Sequence, residues 1–217
     1  MFFSKIQWAP TETLFKIGSF GIHYYSVMFI IAFTYGLYLM KKMYDKEKVS
    51  KEFIEPLLFY VVIATLLGAR LGEVFFYNWD YFQNHLVEIL LPIKEQVEGG
   101  YKFTGFRGLA SHGAAIGILV GLYLYQKKYN YKPLIWILDR LVIPVSIGAA
   151  FVRIGNFINS EIVGEYTGNN FGVVFQNRNE IAPRHPAQLY EALAYLSIFI
   201  FLISYYYKRF EKLIQGE

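Results

Sequence analysis

Apolar positions in this chain come in blocks rather than in alternation with polar ones. Residues 20–40, 54–77, 109–125, 134–152 and 187–207 are each nearly free of charge. At roughly 17–24 residues apiece they are long enough to cross a hydrocarbon layer of about 30 Å. The pattern predicts an all-α fold, a polytopic transmembrane helical bundle of about five spans, in a single integral-membrane domain over residues 1–217. The stretch 82–98, "FQNHLVEILLPIKEQVE", shows amphipathic spacing and is expected to lie along the interface rather than cross it.

The connections set an orientation. "KKMYDKEKVSK" (41–51), "QKKYNYK" (126–132) and "KRFEK" (208–212) are basic, whereas 78–107 and 156–186 are longer and mix both signs. Lys and Arg in short loops favour the cytoplasmic side. Five crossings with the amino terminus outside and the carboxyl terminus cytoplasmic put every basic connection inside, and the two long connections outside.

Composition narrows the function classes. The chain has 217 residues, 55% hydrophobic and 18% charged, against about a quarter charged in soluble domains. A net charge of +4 reads as topology signals, not as a nucleic-acid surface, because the cations cluster between spans. Residues 1–19 hold Lys5, Glu12 and Lys16 with neither a compact basic start nor a cleavage site, so the first span is expected to be retained. The absence of cysteine excludes disulfides, thiolate metal sites and a cysteine nucleophile. His23, His85, His112 and His185 lack close ligand spacing, and no metal or cofactor is expected.

Candidate chemistry gathers at span ends. In "FVRIGNFINSEIVG" (151–164), Arg153 sits where the fourth span runs out, with Asn156 at i+3 on the same face if the helix continues. "GNFIN" is expected to loosen the backbone and leave Asn159 and Glu161 in a turn. An arginine fork matches two phosphate oxygens together, which makes this a candidate phospholipid-headgroup clamp. The alternative is an arginine that only snorkels to the interface.

His112 heads the third span in "GLASHGAAIGILVGLYLY", and an ionisable group there is a functional candidate suited to proton transfer. A histidine satisfied by a neighbouring carbonyl is the other reading. Gly113, Gly117 and Gly121 recur every four residues and admit a close helix neighbour. Arg70 closes "YVVIATLLGARLGEVFFYN" with Glu73 at i+3; it is either a second headgroup cation or half of an intrahelical pair. His23, Tyr24 and Tyr25 in "GIHYYSVMF" sit early in the first span, where an aromatic belt is equally natural. In "APRHPAQLYEAL" (182–193), Glu191 in the first turns of the fifth span is readable as ordinary dipole chemistry.

In order and spacing, "HYYSVMF", "GARLGEVFFYN", "GLASHGAAIG", "RIGNFINSEIVG" and "RHPAQLYEAL" closely resemble the prolipoprotein diacylglyceryl transferase family over about residues 15–205. The resemblance implies transfer of diacylglycerol from phosphatidylglycerol to the lipobox cysteine near a prolipoprotein signal peptide, with a thioether formed and glycerol phosphate released. It implies a multi-pass protein of the bacterial inner membrane, acting on its outer face. It places the family's essential arginine at Arg153, its essential histidine at His112, its signature asparagine, glutamate and glycine at Asn156, Glu161 and Gly164, and its early tyrosine at Tyr25. Arg153, Asn156, Asn159, Glu161, Gly164 and Arg70 form the expected substrate-binding set; His112, Arg153 and Tyr25 form the catalytic one. The partners implied are phosphatidylglycerol, membrane lipid and the prolipoprotein signal peptide, with no nucleic acid.

Family members continue past the fifth span with more helices and a second essential arginine, whereas this sequence stops at "KRFEKLIQGE", so a truncated or shortened form is expected. Other classes remain: a non-catalytic lipid-binding or lipid-moving protein, and a small-solute transporter. The transferase reading carries one requirement. An Arg153 turned to bulk water, or locked to a carboxylate with no lipid-sized cavity beside it, contradicts it.

Overall fold

The computed structural model describes residues 5–11, 13–17, 20–96, 99–103 and 108–209. The end of the basic stretch 208–212, Glu12 and the last residues of the amphipathic stretch 82–98 lie outside these.

Contacts gather the chain into two units, Met1–Lys48 with Ile135–Glu217, and Val49–Leu134. In the first, strands β1 (Ile6–Trp8), β2 (Thr13–Ile17) and β3 (Phe20–His23) lead into helix α1 (Tyr24–Lys46). Helix α6 (Leu134–Ile158), strand β6 (Val173–Phe175) and helix α7 (Ala187–Arg209) complete it. In the second, α2 (Ile54–Gly72) runs into a short π-helical stretch at Glu73–Tyr77. Two one-turn helices follow, α3 (Trp79–Phe82) and α4 (Val87–Leu90), then strands β4 (Ile93–Glu95) and β5 (Tyr101–Phe103), then α5 (Ser111–Tyr129).

Most of the expected spans lengthen. Segments Tyr24–Lys46, Lys51–Tyr77, Leu134–Ile158 and Ala187–Arg209 are long and apolar enough to cross a membrane. The stretch expected at 109–125 becomes α5, whose last turn carries Lys127 and Lys128 and whose second residue is His112; its apolar run is correspondingly shorter. Residues 82–98 are not one amphipathic helix. As far as residue 96 they hold the end of α3, then α4 and strand β4, which pairs with β5 in a hairpin from Ile93–Phe103 to Glu95–Tyr101. Leu86, Leu90, Leu91 and Phe103 are all exposed there, which suits an interfacial position.

Each unit has its own packing device. In the second, α2 and α5 touch backbone to backbone. A Cβ on Gly72 would lie 2.6 Å from Gly113 Cα, and one on Gly68 would lie 2.8 Å from Gly117 Cα. Any side chain there would drive the helices apart. The Ala110 N–H reaches back to the Ala69 carbonyl at 2.9 Å and fixes where α5 begins.

The first unit has a buried ion pair at the other end of its helices. Arg140 donates through Nε and Nη2 to the two carboxylate oxygens of Glu47 at 3.0 and 3.1 Å, and stacks on Trp136. The Tyr206 hydroxyl donates to Glu47 at 2.8 Å. A fork met by a matching carboxylate and a phenol leaves little of either charge unpaired, which is what burial requires. The C-terminal cap of α1 is thereby tied to α6 and α7, and α6 and α7 continue to the opposite end, where the candidate site lies.

Candidate active site at the end of helix α6

Arg153, Gly155 and Asn156 are on the last turns of α6, which continues through Ile158 instead of loosening at 155. The i+3 relation therefore holds: Arg153 Nη1 donates to Asn156 Oδ1 at 3.4 Å. Asn156 is buried, and its Nδ2 passes on to Glu161 Oε2 at 3.1 Å. The helix ends in a turn in which Ser160 and Ile162 take positive φ values of 55° and 53°. That reversal folds Glu161 back, so its N–H bonds the Asn156 carbonyl at 2.9 Å. Asn159 Nδ2 donates to the other Glu161 oxygen at 3.3 Å. Arginine, two amides and glutamate thus form one continuous chain of hydrogen bonds, as polar groups at a helix end must when water is scarce.

Glycine makes room for this chain at two points. A Cβ on Gly155 would stand 2.7 Å from the Tyr25 ring. Tyr25, the second residue of α1, can therefore lie against the helix, close enough to Asn156, Glu161 and Arg153 to interact electrostatically with each. A Cβ on Gly164 would stand 2.6 Å from the His185 carbonyl. The Gly164 N–H bonds that carbonyl at 3.0 Å, while Arg184 Nη1 donates to the Gly164 carbonyl at 3.1 Å. Gly164 braces the loop after the signature against the entry to α7. Trp8 adds a further support, donating from its indole to the Phe157 carbonyl at 3.0 Å.

Helix α7 adds contacts to the site that the sequence reading did not assign. Gln188 is fully buried and donates to the Glu161 carbonyl. One turn on, Glu191 Oε2 meets Arg153 Nε at 2.7 Å. Glu191 is therefore more than a dipole partner for its own helix. Gln188 and Glu191 share a face at i, i+3 spacing, the same spacing that linked Arg153 to Asn156; this was the available signal.

Arg153 is tied to a carboxylate, and the lipid-sized groove of the second unit is not lined by it, so both parts of the stated contradiction bear on this site. The closest approach is through Nε, however. With Asn156 on Nη1, the rest of the guanidinium fork has no partner among the described residues. The pair is not sealed either, since the side chains of Arg153 and Glu191 stay 25% and 39% exposed.

The second unit holds His112 and Arg70. His112 is exposed in the first turn of α5, with its Nδ1 3.4 Å from the Tyr77 hydroxyl. An open apolar groove of about 470 Å³ runs along the outer face of α2 and α5, lined by Phe59, Ile63, Leu67, Ile116 and Val120 and reaching Gly113, the neighbour of His112. Arg70 is buried and donates to the carbonyls of Ile89 at 2.9 Å and Glu88 at 2.6 Å, with its guanidinium 4.7 Å from the Phe82 ring centre.

The fold also brings ligand atoms of His85, Glu88 and Glu95 within 4.8 Å of one another. Both Glu88 oxygens already accept hydrogen bonds, from the Tyr81 hydroxyl at 2.8 Å and the Glu95 N–H at 2.8 Å. Burial alone would raise the Glu88 carboxyl, but those donors hold it below its ordinary value.

Comparison with known proteins identifies the family. A family model described as prolipoprotein diacylglyceryl transferase matches residues 12–217. The phosphatidylglycerol–prolipoprotein diacylglyceryl transferase of Bacteroides fragilis is 38% identical over 214 residues, 98% of this chain and 76% of its own. That of Chloroherpeton thalassium is 40% identical over 205 residues, 94% of this chain and 72% of its own. That of Tolumonas auensis is 38% identical over 196 residues, 90% of this chain and 71% of its own. The match takes in α1 to α7 and every motif from Tyr25 to Glu191, and on it the chain belongs to the prolipoprotein diacylglyceryl transferase family.

Proposed function

We propose that this protein transfers diacylglycerol from phosphatidylglycerol to the cysteine thiol of prolipoproteins, making a thioether and releasing glycerol phosphate. Family membership carries the reaction; the hydrogen-bonded chain around Arg153 supports where it takes place. The finer reading is that the thiol belongs to a lipobox cysteine beside a signal peptide, in the bacterial inner membrane and on its outer face. That orientation counts α5 as a crossing.

The chemistry assigns roles. Sulfur attacks the glyceryl carbon, the carbon–oxygen bond to phosphate breaks, and the electron pair leaves on the phosphate. Charge grows on phosphate oxygens, and a preoriented guanidinium in a place poor in water is well suited to receive it. Arg153 takes that role, with Asn156, Glu161 and Asn159 holding it in line and Tyr25 packed over Gly155. The thiol must lose a proton, since thiolate is the nucleophile, and His112 is assigned as the acceptor. Apolar lining beside His112 suits a lipid acyl chain. Arg70, bonded to carbonyls, is in this reading a brace for residues 78–91.

The test incubates purified protein with phosphatidylglycerol and a lipobox peptide and follows the diacylglyceryl adduct by mass spectrometry. Adduct formation that is lost in His112→Gln, with phosphatidylglycerol binding retained, supports both reaction and base. Lipid binding by the parent protein without any adduct would overturn the transferase reading.

A further inference from the structure

Among the described residues, Arg153 meets one carboxylate, and that contact is peculiar. It is short, yet both partners are partly exposed, and an ion pair of that kind contributes little to stability. The pair is therefore poorly explained as a fastener for the fold. It also puts a negative charge beside the cation proposed to receive a phosphate, which would by itself weaken anion binding. The geometry of the contact resolves this. Glu191 takes Nε, the inner corner of the guanidinium, and Asn156 touches Nη1 from the same chain. The outer edge, between the two Nη atoms, is the part that matches a phosphate's paired oxygens.

From this we infer that Glu191 is a positioning residue for the transfer reaction: it holds the Arg153 guanidinium by Nε so that the Nη edge faces the departing phosphate. The inference rests on the transferase reading given above. A free arginine side chain loses rotamer freedom when it is fixed, and a carboxylate at 2.7 Å imposes that order before lipid arrives. Glu191 is itself held. Gln188, one turn earlier on the same face of α7, is fully buried and bonded to the Glu161 carbonyl. The loop that carries Glu161 and the helix that carries Glu191 are thus locked in register. Substrate and Glu191 use different edges of the same fork, so they bind together rather than in competition.

The test compares the parent protein with Glu191→Gln and Glu191→Asp in the adduct assay, varying phosphatidylglycerol. A misaimed guanidinium should lower kcat by on the order of 10²-fold in Glu191→Gln. KM for phosphatidylglycerol should change little, and thermal stability in detergent should stay close to that of the parent. Glu191→Asp, which keeps the charge, should recover part of the lost kcat; a residue with only a packing role would not divide kcat from KM in this way. A second measurement is independent of turnover: the nitrogen-15 signal of the Arg153 Nε–H in detergent, with phosphatidylglycerol added stepwise. It should keep its Glu191-paired position as lipid is added to the parent, and shift away from it in Glu191→Gln.

A kcat within about twofold of the parent for Glu191→Gln, or a parent Nε–H signal released by lipid, would overturn the inference. The second outcome would instead make Glu191 a placeholder that lipid displaces. A parent that forms no adduct counts against the transferase reading, while the Nε–H titration still decides the role of Glu191.

Discussion

Arg70 and Arg153 look alike in the sequence, each an arginine near the end of a long apolar segment with a carboxylate a few positions on. Their surroundings differ completely. Arg70 is buried, lies on the Phe82 ring and donates to the carbonyls of Glu88 and Ile89. Arg153 is a quarter exposed, touches side chains rather than carbonyls, and has no partner on Nη2 among the described residues. A guanidinium that caps backbone carbonyls has its place dictated by the chain around it. One held by a carboxylate and an amide can accept a further anion. The difference lies in what the following residues do: 78–91 fold back over Arg70, whereas 159–164 fold back beside Arg153.

The largest effect that sharpens this contrast is on turnover. Arg153→Ala should lower adduct formation by about 10²–10³-fold, the usual loss when a charge-stabilising donor is removed, while its melting temperature barely moves. Arg70→Ala should do the reverse. It strands buried carbonyls and opens a gap against Phe82, at about 2–4 kcal/mol, read as a lower melting temperature in detergent. Equal effects of the two substitutions on both readouts would erase the distinction.

A smaller effect is expected at the support of the site. Gly155→Ala presses a methyl on the Tyr25 ring, and overpacking of that kind costs about 1–3 kcal/mol. Turnover should fall with it as Tyr25 is pushed aside, and Tyr25→Ala in the same chain should relieve the stability loss but not the turnover.

The smallest effect concerns the segment that covers Arg70. Glu88 titrates below its ordinary value near 4.5 when folded. Its ionised form therefore stabilises the fold fully above that pH, and the contribution is lost as pH falls through the folded value. Melting temperature should accordingly drop more steeply on acidification in the parent than in Glu88→Gln; parallel curves would remove Glu88 from the account.

Much of this fold could be read in advance because apolar blocks longer than a globular helix leave few alternatives. The glycines of α5 likewise announced a close helix partner, found in Gly68 and Gly72 of α2. The β4–β5 hairpin was hidden because amphipathic spacing in 82–98 is compatible with a helix as well. At the site, Arg153, Asn156, Asn159 and Glu161 were legible as neighbours because they are local in the chain. Glu191 and Gln188 were not. Their partners lie elsewhere in the chain, on α6 and the turn after it, and an acidic residue near a helix start already has an ordinary explanation.

The most direct test is Arg153→Lys in the phosphatidylglycerol and lipobox-peptide assay. An ammonium keeps the charge but cannot present a flat, two-pronged edge. Adduct formation should fall nearly as far as in Arg153→Ala. Near-parent turnover in the lysine variant would show that charge alone suffices, and would contradict the clamp on which this account stands.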